Sequence, residues 1–269
     1  MSTLMNSAQT TYPLLPRVAS TTGRMATTAA IAACWLMATA PAPAQFSENF
    51  DSYVPNSGMN GQGGWKGWDN DAAAANAAKV SGSFSFSPNN SVRISGTALT
   101  AGNYTDLVHT FAGANSGSWT MTARQWIPQN STSGTSYFIL LNTYNDGGPY
   151  SWSVETSFNL TSGMLVDDFG TGTLPFVRDS WAELKFVIDL DSNNLKAYYN
   201  NVQYANRAWF GSFSSGGVAA LAAIDLYSDV SQNVYYDNIL LVPEPGSATL
   251  LALFGLVGGI YRLRRVKTA

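Results

Sequence analysis

The chain has 269 residues and a formal net charge of −3 at pH 7, but the charge is unevenly spread. Between Gln45 and Leu241 there are 8 Lys and Arg against 16 Asp and Glu, a net −8, and the remaining basic residues sit in the two ends. An acidic body argues against nucleic acid or anionic lipid as a partner and suits neutral glycans or cations.

The first element is a leader. Arg17 and Arg24 precede an apolar stretch from Ala26 to Ala40, which ends in Ala42-Pro43-Ala44. A charged region, a short apolar region and a small-x-small site form the layout of a secretory signal, read here as residues 1–44 with signal peptidase cutting after Ala44. The first 24 residues add little to such a signal, which makes Met25 a candidate start. Ile31-Ala32-Ala33-Cys34 also matches a lipobox, but Trp35-Leu36-Met37 keeps the chain apolar past the cysteine. Cys34 is the single cysteine. Once the leader is removed, disulfides, thiolate metal sites and a cysteine nucleophile are all excluded.

Residues 45–241 form one domain by length, large enough for a core without disulfides. They are rich in Gly, Ser, Asn, Thr and aromatics, a composition of strands and turns. Only Asp71 to Val80 and Val218 to Ile224 are alanine-rich enough to predict a helical turn. Ser118 to Ile127 places Trp119, Met121 and Ala123 on one side, and Thr135 to Asn142 is a solid apolar run of a strand deep in a sandwich. Trp152, Val154, Thr156 and Phe158 alternate, as do Leu184, Phe186 and Ile188. In the last strand, Tyr235, Asp237, Ile239 and Leu241 are expected on one face and Val234, Tyr236, Asn238 and Leu240 on the other. About a dozen short strands separated by Gly, Asn and Asp turns predict an all-β, two-sheet antiparallel sandwich.

Three groups of residues are candidates for chemistry. Glu48, Asp51 and Asp237 offer the hard oxygens of a structural calcium site if the first and last strands lie side by side; otherwise Asp51 and Asp237 bond the strand ends. Trp65, Trp68, Asp69 and Asn70 lie in a glycine-rich loop, where indole faces could stack on a pyranose while Asp and Asn take its hydroxyls. Trp126, Tyr144, Tyr150 and Trp152 are further platform candidates. Asp189-x-Asp191-x-Asn193 begins like a calcium loop but lacks the later glycine and glutamate, and reads as a hairpin turn. The lone His109 sits in a strand-like segment as a structural residue. No nucleophile elbow or phosphate-cradling glycine loop occurs, so no catalytic group is assigned and the chain is read as a non-enzyme.

The last element spans residues 242–269. Pro243-Glu244-Pro245 is expected to hold a short, exposed segment that continues neither helix nor sheet. An apolar run from Ala248 to Tyr261 follows, roughly 21 Å long as a helix. It spans a membrane as residues 248–263 if the ends snorkel. Arg262, Arg264 and Arg265 form the cytoplasmic stop, which puts the body outside. Gly255, Gly258 and Gly259 suit a membrane helix better than a buried soluble one.

Pro-Glu-Pro, an apolar helix and a terminal Arg cluster, in that order, resemble the PEP-CTERM sorting tail, also known as an ice-binding-protein C-terminal domain. That resemblance implies a Gram-negative protein that is exported, held transiently in the inner membrane, processed by an exosortase and released to the cell surface or beyond, in the company of exopolysaccharide and biofilm. Trp181 to Asn200 resembles the hairpin of concanavalin A-like and laminin-G-like jelly rolls. Phe50-Asp51 together with Tyr235-Tyr236-Asp237-Asn238-Ile239 is similar to the galactose-binding-like jelly roll, the alternative fold. These resemblances imply a carbohydrate-binding or structural module of the matrix; the alternatives are a polysaccharide hydrolase and a purely structural surface protein. The Glu-x-Asp-x-x-Glu strand of concanavalin A-like glucanases is missing.

Overall fold

The structure is a computed structural model, and it describes residues 45–214 and 216–244. The leader, the apolar run 248–263, Pro245 and the stop residues Arg262, Arg264 and Arg265 lie outside the described residues. Among the described residues no helix is long and apolar enough to cross a membrane.

The strands are β1 (Phe46–Glu48), β2 (Lys66–Gly67), β3 (Lys79–Ser81), β4 (Ser91–Ile94), β5 (Asp106–Thr110), β6 (Ser118–Trp126), β7 (Thr135–Tyr144) and β8 (Tyr150–Asn159), then β9 (Met164–Asp167), β10 (Thr173–Pro175), β11 (Trp181–Asp189), β12 (Asn194–Tyr199), β13 (Val202–Arg207), β14 (Ala223–Asp229) and β15 (Val234–Pro243). They form two antiparallel sheets. One has the order β13-β12-β11-β6-β15-β4-β3, with β1 also pairing β15; the other runs β10-β9-β8-β7-β14-β5-β2. The first and last strands are therefore neighbours, with Phe46 opposite Leu241.

Alternation explains most of the packing. On β6, Met121 and Ala123 are buried and the residues between them are not; Leu184, Phe186 and Ile188 repeat this on β11. Phe138 of β7 stacks on Phe186 across the sandwich at 5.2 Å and meets Tyr236 of β15 at 5.8 Å. Buried aromatic rings thus tie the sheets at their centre, where each contributes more than its area alone. The buried Tyr236 hydroxyl accepts a hydrogen bond from Gln125 at 3.0 Å, which offsets the cost of burying it.

Three expectations are corrected. The only α-helix among the described residues is α1 (Ala72–Ala77), capped by Asp71, whose side chain accepts from the N–H groups of Ala73 and Ala74. Val218 to Ile224 is not helical: it leads into β14, where pairing to both β5 and β7 outweighs alanine's helix preference. On β15 the two faces exchange part-way. Val234, Tyr236, Ile239 and Leu241 point into the core, because a bulge between Asp237 and Leu240, with Asn238 at φ 46°, adds one residue. Lastly, β15 runs through Pro243 and does not stop before it. Glu244 donates its N–H to Ser118 at 2.8 Å, so Pro243 falls at a position whose nitrogen points away from β6 and needs no hydrogen. The Glu244 carboxylate accepts from Thr120 at 2.6 Å.

Candidate functional site

The seven-stranded sheet is unusual on its outer face, which carries a second apolar cluster where a solvated sheet would be polar. Val108, Ile139, Leu141, Tyr144 and Ala223 are buried there beneath Trp68, Tyr137, Tyr150, Trp152 and Tyr227. Cross-strand register sets two rows of side chains. One reads Val108, Asp225, Ile139, Glu155; the next reads Asp106, Tyr227, Tyr137, Ser157. Acids and aromatics therefore alternate over β5, β14, β7 and β8, and a groove of about 370 Å³ lies over them. Phe169 and Phe213, 5.4 Å apart, form one wall, and Trp68 forms another.

Trp152 reaches this face through a defect in the ladder. In a regular strand it would share the inward face with Val154. The pairing of β7 with β8 shifts on both sides of Leu141, which stands opposite Trp152, and this bulge turns the indole outward while Val154 stays in the core. Trp68 then lies parallel to Trp152, with an interplanar angle of 5° and centroids 5.9 Å apart. Tyr150 packs against both rings. Asp69 fixes the loop that carries Trp68: at φ 51°, it accepts from Gly147 N–H at 2.8 Å and from the Tyr150 hydroxyl.

The acids of the groove are crowded. Asp225 is 3% exposed. It shares a hydrogen bond, and hence a proton, with Asp106, a contact that raises Asp225. Burial pushes Asp106 up to about 6, with the charges of Asp71 and Asp69 adding to it. Asp225 is held well above the ordinary carboxylate range, by burial first and the Asp106 charge second. Glu155 is raised by burial and then by the charge of Asp168. One oxygen of each aspartate, Oδ1 of Asp106 and Oδ1 of Asp225, is buried without a hydrogen-bond partner. Nearby, Arg207 holds the buried Asp167 with two bonds of 2.9 and 2.8 Å.

The residues expected from sequence fall into three places. Trp68 lines the groove and Asp69 braces it, while Asn70 bonds Asp146 beside them. Trp65 is a correction: it is fully buried, its Nε1–H donates to Glu48, and its rings pack on Phe46 and Phe50, so it has no free face for a sugar. Of the further platform residues, Tyr144, Tyr150 and Trp152 belong to this site, whereas Trp126 stacks with Phe84 on the other sheet. Of the proposed calcium ligands, Asp51 and Asp237 meet at the Ser87 hydroxyl, which donates to both, while Glu48 is engaged elsewhere. Glu48 accepts from Phe50 N–H, the Tyr53 hydroxyl and Trp65; Asp51 accepts from the N–H groups of Asn89 and Asn90; Asp237 accepts from those of Phe86 and Ser87. Among the described residues no group of three or more His, Cys, Asp or Glu is placed to hold a metal ion.

Sequence reasoning missed Asp106, Glu155, Asp225 and Tyr227. The signal was present in Ile224-Asp225-Leu226-Tyr227-Ser228-Asp229, a period-two strand with acids and an aromatic on its outer side. The alanines just before it hid that alternation.

No protein-family model and no curated protein sequence matches the chain. Solved structures do. The catalytic domain of the glycoside hydrolase family 131 protein from Coprinopsis cinerea superposes with a TM-score of 0.52 at 14% identity, over 76% of this chain and 95% of that one. A sialidase gives 0.49 at 10% identity over 76% of this chain, which spans only 19% of the sialidase. A cellulose-induced protein gives 0.46 at 12%, over 73% and 96%. The likeness is one of fold. The body is an all-β sandwich of jelly-roll type.

Proposed function

We propose that this protein is an exported polysaccharide-binding module that holds its glycan on the outer face of the seven-stranded sheet. The observation that carries the reading is the bulge that turns Trp152 outward, parallel to Trp68 and beside Asp106, Asp225 and Glu155. Apolar ring faces take the C–H surface of a pyranose, and carboxyl groups at the rim take its hydroxyls. The groove is open and shallow, as a polymer crossing the sheet requires. Binding to a glycan array by the intact protein, lost in Trp152→Ala with the fold retained, is the expected result. An array with no positive glycan would remove the reading.

Delivery to the exterior rests on the two ends of the chain. The leader is taken to be cut by signal peptidase, and the tail from Val242 to be held in the inner membrane and processed by an exosortase near Pro243-Glu244-Pro245. Fractionation of cells making the chain, with and without residues 242–269, tests this; equal retention of both forms in the cytosol would contradict it.

A second reading is a glycan hydrolase, and one observation favours it. Asp225 and Glu155 lie in a single row with only Ile139 between them. Two strand spacings put their Cα atoms about 9–10 Å apart. Inverting glycosidases hold their acid and base roughly 6.5–9.5 Å apart, leaving room for a water. The protonated Asp225 would be the acid and Glu155 the base. Release of reducing ends from a bound glycan, abolished in Asp225→Asn, would establish turnover, and binding without release would leave the module non-catalytic. The shared fold with a glycoside hydrolase catalytic domain is compatible with either reading.

A further inference from the structure

We infer that the glycan taken by this groove is cationic, a polymer of amino sugars with free ammonium groups. The inference rests on the polysaccharide-binding reading and narrows its substrate class. Its first support is the composition of the groove: the charged side chains lining it are Asp106, Glu155 and Asp225, and among the described residues no Lys, Arg or His lines it. Bases close by are already committed. Arg207 is bound at both ends of its guanidinium fork by Asp167, and Lys66 lies 2.6 Å from Asp146.

Its second support is independent of that count. Asp225 is 97% buried by its 3% exposure, lines the groove, and leaves Oδ1 with no donor; Asp106 Oδ1 is in the same condition. A buried acceptor without a donor is costly, and the two facing carboxylates meet that cost only by sharing a proton, a place that an incoming donor can take. A sugar hydroxyl supplies one hydrogen and no charge. An ammonium supplies three hydrogens and a positive charge, and so relieves the repulsion among Asp106, Asp225 and Glu155 as well as their lost hydrogen bonds. Among the described residues no three of His, Cys, Asp and Glu stand together to hold a metal ion there instead. The ring faces of Trp152 and Tyr227 at the same floor attract a cation further.

A pH signature follows. The charged and titratable groups facing the aspartate pair are Asp69 and Asp71 from the turn and helix cap, Tyr104 from the loop before β5, Glu155 from β8 and Tyr227 from β14. All are acids, so an incoming ammonium favours the ionised form of the pair. Affinity is expected to rise as the pH passes through about 6, where Asp106 ionises.

The test is titration calorimetry of the full-length protein with three hexamers: β-linked glucosamine, its N-acetylated form, and a neutral β-glucan. The glucosamine hexamer is expected to bind at least about tenfold more tightly than either of the others. The margin should shrink with added salt and fall to parity in Asp225→Asn and in Glu155→Gln, both checked for an intact melting transition. Equal binding of the neutral hexamer would overturn the inference and leave the polysaccharide-binding reading standing. Failure of all three hexamers would overturn the inference, and only an array with no positive glycan would remove the polysaccharide-binding reading with it. Persistence of the preference in both variants would place the cation elsewhere and overturn the inference.

Discussion

Replacing Asp106 by Asn should stabilise the protein, and only above the pH at which the carboxyl of the unfolded chain begins to ionise. Asp106 titrates near 3.8 in an open environment and at about 6 in the native groove. A rise of that size corresponds to about 3 kcal/mol between the two protonation states, or nearer 2 kcal/mol once partial solvent access is allowed for. Below about pH 3 the group is protonated in both folded and unfolded chains and costs nothing. As the pH rises the unfolded chain loses this proton first, and the native state falls progressively behind until the pH has passed through about 6. Asn carries no charge to desolvate, and its amide can donate to Asp225. The variant should therefore match the parent at about pH 3 and melt roughly 4–8 °C higher at about pH 8. Urea unfolding and thermal melts at both pH values measure this. A variant no more stable than the parent at the higher pH would refute the claim that the groove's acids are held against their own preference.

Trp152→Ala should weaken glycan binding by about ten- to a hundredfold, read by calorimetry, while the melting temperature moves little, because the ring sits on the outer face. Arg207→Met leaves the 3% exposed Asp167 without its partner and should cost about 3–5 kcal/mol in urea unfolding. Glu48→Ala strips the acceptor from Phe50 N–H, the Tyr53 hydroxyl and Trp65 Nε1–H, and should cost about 2–4 kcal/mol by the same assay. Phe138→Ala removes the ring that joins Phe186 and Tyr236 across the sandwich and should cost about 3–5 kcal/mol.

Much of the sandwich is legible in the chain because strand period and burial coincide. Met121, Ala123, Leu184, Phe186 and Ile188 need only alternation to be placed correctly. The site is less legible because it depends on departures from alternation. Trp152 alternates with Val154 and reads equally as core or platform until the bulge opposite Leu141 is known, and Ile239 and Leu241 change faces at a second bulge. Bulges depend on how two distant strands meet, which local composition does not record. Pairing across strands is equally hidden: Asp106, Glu155 and Asp225 are 49 and 70 residues apart in the chain and become one cluster only through register. The indole at position 65 illustrates the reverse error. Its loop looks open in sequence, yet Glu48 holds the ring inside the core. Pro243 was expected to break a ladder, but the alternation of antiparallel hydrogen bonds leaves room for a residue without an N–H.

The most direct measurement is a crystal structure of the protein with a bound oligosaccharide. Sugar density is predicted over Trp152, between Glu155 and Asp225 on the outer face of the seven-stranded sheet. Density confined to the opposite sheet, against the exposed Phe86 and its neighbours Trp126 and Trp181, would contradict the assignment.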